Sequence, residues 1–520
     1  MSKIYDAPIP NKVSPRTKWT YTLGGVGRDM AYTLYSTYLL TFILFTKGVT
    51  DVQFGVISTI LIVCRIWDAI NDPVMGGIIE NTKSKMGKFK PWILIGVLSN
   101  ALILSLIFSL PLDGWNFVIF FGVMYLLWDI TFTMNDIAYW SMLPSLSSNP
   151  KERATLTSMA NLFAGLGGVL AVALTPLLTQ GPNAIGGNAV TGYMAVAIII
   201  SAIFIGCQVM TVVGVKESPR AIKLQQKAEP IGLKKMMKII FGNKQLLWLA
   251  LVMLMYNIGS SVVLAFGTTY IYFEFGYDGL FVTILAVVFA VGGGAINVIY
   301  PKFAEKINRK EQQFISIILI AVGYTLFFLN GVLWKADRAV EFVLLCVALV
   351  ILAFGQGIYY MNLTINLSNT IEYNDLMTGS RNEGIIFAMR PFMAKLGSAM
   401  QQFFIMIVYI ILGITTITNA ISDVEKDMAK GLIDETVKGS RIEAIIKNVD
   451  DTTTLGLKIC MVGLPLILLA VGYFVLKYKF KIDEKTYSDI LKKLAERDAQ
   501  RALEEEAALN ADADEAVSAE

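Results

Sequence analysis

Three charged side chains, Arg65, Asp68 and Asp72, lie inside an apolar run that extends from residue 53 to residue 79. An ionisable group within a membrane costs several kcal/mol unless it faces a partner or a water-filled cavity. A helix presents Asp68, Asn71 and Asp72 on one face, because the second and third follow the first by three and four residues. Two carboxylates and an amide offer the oxygen ligands that hard cations prefer. The spacing therefore predicts a site for a small cation.

Composition assigns the chain to the membrane proteins. Of its 520 residues, 55% are hydrophobic and only 16% are charged, which is typical of a chain that crosses the bilayer many times. It contains no histidine, which excludes Ser/His/Asp and Cys/His triads and histidine-ligated metals. Its four cysteines fall in apolar runs without the spacing of a metal site. We therefore expect no enzyme activity, no cofactor and no nucleic-acid partner.

Apolar windows of about 20 residues, the length of a helix that crosses a membrane, occur twelve times. They lie at 21–45, 53–79, 91–110, 116–143, 154–178, 193–215, 245–273, 279–300, 312–333, 340–367, 384–414 and 455–476. The connections after even-numbered spans hold most of the loop lysines and arginines, which predicts that these connections and both termini are cytoplasmic. The expected fold is an all-α membrane protein with twelve transmembrane helices in two six-helix bundles.

The expected domains follow from the basic segment 216–244, which divides the chain near its middle. Such a segment either lies on anionic lipid headgroups or simply links the two bundles on the cytoplasmic side, where basic residues accumulate. We favour the second interpretation. Within the second bundle, 415–454 is expected to form short exposed helices outside the cell. The predicted division is a cytoplasmic tail at 1–18, a first bundle at 19–215, the linker at 216–244, a second bundle at 245–480 and an acidic cytoplasmic tail at 481–520.

The fourth span carries a polar stripe formed by Asp129, Thr133, Asp136 and Trp140. Their spacings of 4, 3 and 4 residues place all four on one helix face. An aromatic ring covers the apolar C–H face of a sugar while carboxylates accept hydrogen bonds from its hydroxyls. The stripe therefore favours sugar recognition, although Trp140 alone would equally suit an anchor at the membrane interface.

Two further sets of charges lie deep in predicted spans. Arg28 and Asp29 follow three glycines in the first span, and an adjacent cation and carboxylate at that depth need a cavity or a partner. Lys395 lies three turns into the eleventh span, too deep to reach the interface, so it needs an anion. Its acidic candidates lie in the first bundle. A structural ion pair is the alternative to a role in coupling.

At these residues the chain resembles the glycoside–pentoside–hexuronide cation symporters, the branch of the major facilitator superfamily that includes the melibiose carrier. The resemblance extends from about Trp19 to Leu476. Its most specific stretches are Arg65–Pro73 with Gly87–Trp92, Asp136–Pro144, Thr370–Tyr373, Thr378–Arg381 and Glu383–Gly384.

The resemblance implies the major facilitator fold and a role for each intramembrane polar residue. Asp68, Asn71, Asp72 and Thr133 match the positions that bind the coupling cation, with Asp68 and Asp72 as ligands of Na⁺. Asp29, Asp136 and Trp140 match sugar-binding positions, beside which we place Arg28 and Asp129. Lys395 matches the lysine of the eleventh span, and with Arg65 it is assigned to coupling.

The predicted function is secondary active transport that imports a glycoside, an oligosaccharide or a uronide with Na⁺ or H⁺. The expected partners are the sugar, the monovalent cation and membrane lipids, in a protein that works as a monomer in the bacterial cell membrane. One alternative is a facilitator or uniporter of another small polar solute, with structural carboxylates. Another is a membrane enzyme or sensor, which would require catalytic groups or a soluble output domain.

Overall fold

The chain forms α-helices that run back and forth between two ends of the molecule. The structure, a computed structural model, describes residues 12–147, 149–215, 239–332, 337–380 and 382–518. The helices of the first half are α1 (Pro15–Thr33), α2 (Leu39–Thr46), α3 (Asp51–Glu80), α4 (Lys90–Ser109), α5 (Gly114–Met142), α6 (Pro150–Thr179) and α7 (Ala189–Gly214). Those of the second half are α8 (Lys244–Phe275), α9 (Gly279–Ala304), α10 (Arg309–Leu329), α11 (Arg338–Thr378), α12 (Glu383–Ile411), α13 (Ile414–Ala429), α14 (Glu435–Lys447), α15 (Asp451–Lys479) and α16 (Glu484–Ser518).

Ten helices within the described ranges are long and apolar enough to cross a membrane, so the chain is a multi-pass membrane protein. The other two predicted spans are α1 with α2, and α3, which carries the charges described above. Helix α11 is longer than its predicted span 340–367, because polar residues continue the helix until Gly379 adopts a left-handed conformation. Of the predicted linker 216–244, residues 216–238 lie outside the described part of the chain.

The first span is divided by a π-helical turn at Leu34–Tyr38, which sequence periodicity did not predict. The turn directs Tyr35 inward, where its ring stacks on Trp128 with a centroid distance of 4.1 Å. The Tyr38 hydroxyl donates a hydrogen bond of 2.8 Å to the carbonyl of Val172. A single π turn inside an α-helix often marks a functional region, and this one lies beside the polar residues of α3 and α5.

Glycines let α1 approach the neighbouring helices of the first bundle closely. A Cβ atom on Gly27 would lie 2.7 Å from the Phe204 Cα in α7, and one on Gly24 would lie 2.1 Å from the Thr211 Oγ1. Any larger residue would push the two helices apart. This contact fixes the part of α1 that carries Arg28 and Asp29.

Helices α13 and α14 form a cap over the predicted extracellular end, and the cap belongs to the second half of the chain. Contrary to the expectation of exposed helices, α13 buries one face, including the whole of Glu425. The Glu425 Oε2 accepts a 2.7 Å hydrogen bond from the amide of Ala189 at the start of α7. Lys438 lies 3.0 Å from Glu425 Oε1 and donates to the carbonyl of Gly187 at 2.8 Å. Burial raises the pKa of the Glu425 carboxyl, while Lys438 and the Ala189 amide act in the opposite direction.

The cap also binds the loops of the first bundle. Lys426 donates to the carbonyl of Lys47 at 3.0 Å and pairs with Asp113 at 2.8 Å. Asn419 donates to the carbonyl of Val49 at 2.8 Å. These contacts join the two bundles at the end opposite the basic loops. The structure is therefore closed at the predicted extracellular end.

Replacing Lys438 with methionine should destabilise the cap. The change leaves the buried Glu425 carboxylate without its cation, and breaking a buried ion pair costs about 3–5 kcal/mol. We expect a lower Tm for the purified protein and faster proteolysis at the cap. Lys447→Met is the matched control, because Lys447 and Glu443 form an exposed pair on the same helix. A Lys438→Met protein as stable as the control would contradict this account.

Helix α16 lies against α11 at the predicted cytoplasmic end. The Arg497 guanidinium lies 3.1 Å from Asp375 Oδ1, and Ile490 and Leu494 pack in an apolar cluster with Tyr373. Within the acidic tail predicted at 481–520, Glu484–Ser518 is thus a helix whose first half is bound to the transmembrane bundle.

Candidate cation and solute sites

Lys395 on α12 meets two carboxylates of α3 across the interface between the bundles. Its Nζ lies 3.2 Å from Asp68 Oδ2 and also contacts Asp72 Oδ2. It further donates a 3.4 Å hydrogen bond to the main-chain carbonyl of Asp68. The structure thus brings the deep lysine of the second half to the two acids that the sequence placed on one helix face. The trio carries one positive and two negative charges.

Thr133 on α5 completes this group. Its hydroxyl lies 3.3 Å from Asp68 Oδ1 and 3.4 Å from Asp72 Oδ1. Each carboxylate therefore turns one oxygen towards Thr133 and the other towards Lys395. Asn71, which directly precedes Asp72, is buried, and its Nδ2 has no hydrogen-bond partner among the described residues. The structure brings together Asp68, Asp72, Thr133 and Lys395 but records no contact of Asn71 with them.

The donor set of this group suits a hard monovalent cation. Two carboxylates and a hydroxyl are oxygen ligands of the kind that Na⁺ binds, and the same carboxylates can accept a proton. No cluster of three or more acidic or thiol side chains able to hold a metal ion occurs in the described part of the chain. A cation would have to compete with Lys395 for the carboxylate oxygens.

Arg65 and Asp129 lie close enough for their charges to interact, without forming an ion pair. The charge of Arg65 interacts with those of Asp129 and Asp68, and with the Tyr125 hydroxyl. Asp129 is buried, and its Oδ2 has no described hydrogen-bond partner. No described contact joins Asp129 to the solute-binding candidates of α1. The reason is that seven residues separate Asp129 from Asp136, which is about 10 Å along a helix. The predicted stripe on α5 is therefore divided, with Asp129 near Arg65, Thr133 beside the carboxylates of α3, and Asp136 farther along the helix.

A second charged group forms where α1 faces α5. Arg28 donates to Asp29 Oδ1 through Nε at 2.8 Å and through Nη2 at 2.7 Å. Its Nη1 lies 3.0 Å from Asp136 Oδ1. The guanidinium carbon is 4.7 Å from the ring centroid of Tyr139 and 4.9 Å from that of Trp140. The structure thus brings together Arg28, Asp29, Asp136 and Trp140.

Tyr21 and Tyr139 hold this second group in place, and sequence reasoning did not identify either. Each hydroxyl donates to the other residue's main-chain carbonyl, at 2.9 Å from Tyr21 and 2.7 Å from Tyr139. The two rings are stacked with a centroid distance of 4.5 Å. The available signal was the position of Tyr139 three residues after Asp136, which places both on the same face of α5.

A cavity of about 240 Å³ lies between the bundles, on the predicted extracellular side of Lys395. Hydroxyl, amide and guanidinium groups line it together with several leucines, so it has both polar and apolar walls. Its lining includes Tyr35, Arg65, Tyr125, Ser398, Gln402 and Tyr409. Gln402 Nε2 donates to the Ser58 hydroxyl at 3.3 Å, so polar contacts between the bundles continue from Lys395 towards the cap.

Comparison with solved structures identifies the fold. The chain matches the crystal structure of a bacterial homolog of the human lysosomal transporter Spinster, inward-facing and unoccupied, with a TM-score of 0.62 at 14% identity. The match covers 92% of this chain and 98% of that one. A D-xylose–proton symporter matches with a TM-score of 0.53 at 13% identity, over 81% of this chain and 98% of that one. The chain therefore shares the fold of these transporters.

Several curated proteins are similar in sequence. The lactose permease of Lactobacillus helveticus is 29% identical, over 94% of this chain and 73% of that protein. The raffinose carrier protein of Pediococcus pentosaceus is 27% identical, over 76% of this chain and 62% of that protein. The glucuronide carrier protein homolog of Escherichia coli K12 is 26% identical, over 75% of this chain and 82% of that protein.

A family comparison agrees with these relatives. Residues 20–484 match the family described as MFS/sugar transport protein, which is nearly the whole of the transmembrane region. Together with the named relatives, this match confirms the resemblance to sugar symporters of the major facilitator superfamily. The chain therefore belongs to the MFS/sugar transport protein family.

Proposed function

We propose that the protein is a secondary transporter that carries a glycoside, an oligosaccharide or a uronide together with Na⁺ or H⁺. The observation that supports this proposal most is the position of Lys395 between Asp68 and Asp72, at the interface of the bundles. The relatives named as lactose, raffinose and glucuronide carriers support a sugar as the solute.

Competition between Lys395 and the cation supplies the coupling. A cation bound by Asp68, Asp72 and Thr133 would take the carboxylate oxygens that Lys395 now contacts. Releasing Lys395 weakens the contact between α3 and α12, because that contact depends on opposite charges. A ligand that binds one conformation better than another shifts the balance between them. Cation binding would in this way change the relative stability of the outward-facing and inward-facing states.

The solute site lies next to the cation site on α5. Thr133 and Asp136 are three residues apart, so one helical turn carries a group from each site. Asp29 and Asp136 are partly exposed and can accept hydrogen bonds from sugar hydroxyls, while Trp140 offers an aromatic surface. A solute that orders this turn of α5 would also order Thr133. The two sites would thus be occupied together.

We further propose that the protein lies in the bacterial cell membrane with both termini in the cytoplasm and works as a monomer. The distribution of lysine and arginine among the connections supports this orientation. Both groups of polar residues are built within one chain, which is consistent with a working monomer. Membrane lipids would be its remaining partners.

Uptake into vesicles tests the proposed function. The purified protein is reconstituted, and entry of labelled lactose and raffinose is followed with and without an inward Na⁺ or proton gradient. A symporter accumulates the sugar above the external concentration only when a gradient is imposed. A uniporter would only equilibrate the sugar, whichever gradient is imposed. Failure of both sugars to enter under every gradient would contradict the transport of these sugars and favour the alternative, a transporter of another small polar solute.

Asp29→Ala and Asp136→Ala should each lose sugar affinity by about tenfold or more, because hydrogen bonds to charged acceptors contribute about 1.5–3 kcal/mol. Both variants should keep the stabilisation by Na⁺, since neither residue touches the cation group. Calorimetry with lactose and thermal shift with Na⁺ measure the two effects separately. Glu435→Ala, an exposed acid of α14, serves as the control. Wild-type sugar affinity in either variant would remove that residue from the site.

A further inference from the structure

The Arg28 guanidinium is almost completely enclosed by the residues of the solute site. Only 4% of its side chain is exposed. Asp29 and Asp136 take its edges, and the rings of Tyr139 and Trp140 lie within 5 Å of its central carbon. Its Nη1 has no hydrogen-bond partner among the described residues, but that atom is buried, so the guanidinium offers almost no surface to a solute. Arg28 therefore holds the two carboxylates in place instead of contacting the ligand.

The charged groups of this site that solvent reaches are acceptors. The side chains of Asp29 and Asp136 are 30% and 39% exposed, respectively. All the contacts of Arg28 with these acids end on their Oδ1 atoms. Each carboxylate therefore has its Oδ2 available, and an ionised carboxylate can only accept hydrogen bonds. The complementary ligand supplies hydrogen-bond donors, as sugar hydroxyls do.

The net charge of the site determines whether a ligand with its own negative charge can bind. One guanidinium faces two carboxylates, so the group has a net charge of −1 when ionised. The nearby Lys395 is matched by Asp68 and Asp72 and leaves no positive charge over. A ligand with its own carboxylate would place a third negative charge beside Asp29 and Asp136. Like charges in a partly desolvated site repel strongly.

We propose that this arrangement selects neutral glycosides and rejects glycosiduronates, with Asp29 and Asp136 as the contacts and Arg28 as a positioning residue. The inference rests on the proposed function and narrows its solute from three classes to the neutral ones. It removes Arg28 from the predicted solute contacts. It also attributes the discrimination between neutral and negatively charged glycosides to the charge of the site, independently of which sugar ring fits best.

Matched probes test the selection. The probes are methyl β-D-galactopyranoside, its 6-carboxylate and its 6-carboxamide, together with lactose and raffinose. Binding to the purified protein is measured by calorimetry at pH 7 and fixed ionic strength. The carboxamide has the shape of the carboxylate without its charge. We expect the methyl glycoside and the carboxamide to bind alike, and the carboxylate at least about tenfold more weakly.

Variants separate charge from shape. Asp136→Asn removes one negative charge, so all affinities should fall while the ratio between carboxylate and carboxamide moves towards one. Arg28→Lys keeps the charge but not the planar fork that holds both acids, so it should weaken every probe and leave the ratio above about tenfold. Lys18→Gln is the control, because Lys18 lies on the same helix, pairs with Glu152 at 3.3 Å and should leave the ratio unchanged.

The outcomes distinguish failure of this inference from failure of the transport function. Equal or tighter binding of the carboxylate by the wild type, or an unchanged ratio in Asp136→Asn, overturns the charge selection but leaves sugar transport intact. If none of the five probes binds, the proposed function fails, and the selection fails with it.

Discussion

Asp72→Asn will bind the coupling cation about a hundredfold more weakly or worse, since changes to residues that only support metal ligands already cost about 10–100-fold. The substitution removes one of the two carboxylates that Thr133 and Lys395 share. Accumulation of sugar against a gradient should therefore disappear. Exchange of internal for external sugar should continue, because the Arg28 group does not include Asp72. Vesicle uptake and counterflow measure the two activities.

The control for Asp72→Asn is Asp498→Asn, the same chemical change at an exposed position of α16. It should accumulate sugar like the wild type. Normal accumulation by Asp72→Asn itself, driven by either Na⁺ or H⁺, would show that the cation site lies elsewhere.

Lys395→Gln will alter the ion dependence of transport, and its effect will not add to that of Asp68→Asn. Without the lysine, two adjacent carboxylates lose their shared cation, so they should bind Na⁺ or a proton more tightly. Removing Asp68 as well should cancel most of this change. Residues in one ion-pair network typically show a coupling energy of about 0.5–3 kcal/mol, and we expect this pair to exceed about 1 kcal/mol.

The measurement is the Na⁺ and pH dependence of uptake for the wild type, both single variants and the double variant. Lys477→Gln, an exposed lysine of α15, controls for loss of charge. Strictly additive effects, or unchanged ion dependence in Lys395→Gln, would make Lys395 a fixed strut. Coupling would then run through the carboxylates of α3 alone.

The fold was largely predictable, because apolar runs and the cost of charge in a membrane are local properties of a sequence. Because a charge inside a membrane is costly, the sequence also predicted that Lys395 contacts an anion. The choice of Asp68 and Asp72 joins residues more than 300 positions apart, and only tertiary packing determines such a contact. The grouping of Asp129 with Arg65 was missed for a related reason. Helical spacing places residues on one face of a helix. It does not indicate which neighbouring helix each of those residues contacts.

Two other features needed the structure. The π turn at Leu34–Tyr38 leaves no recognisable pattern of apolar residues in the sequence, since it depends on how Tyr35 packs on Trp128. The burial of α13 did leave a signal. Ile414, Thr418, Ile421 and Glu425 recur at spacings of 4, 3 and 4 residues, which marks one buried face of a helix. The prediction of exposed helices for this segment did not take that pattern into account.

The cap recognises the first bundle mainly through main-chain atoms. Its partners include the carbonyls of Lys47, Val49 and Gly187 and the amide of Ala189. Main-chain groups are the same whatever side chain a position carries, so most positions in the loops of the first bundle can diverge by substitution without losing the cap. The exceptions are Asp51 and Asp113, whose side chains accept from Thr415 and Lys426. Insertions and deletions in those loops would instead shift the carbonyls out of register. Functional chimaeras between the two halves of different transporters should accordingly depend on loop length more than on loop sequence.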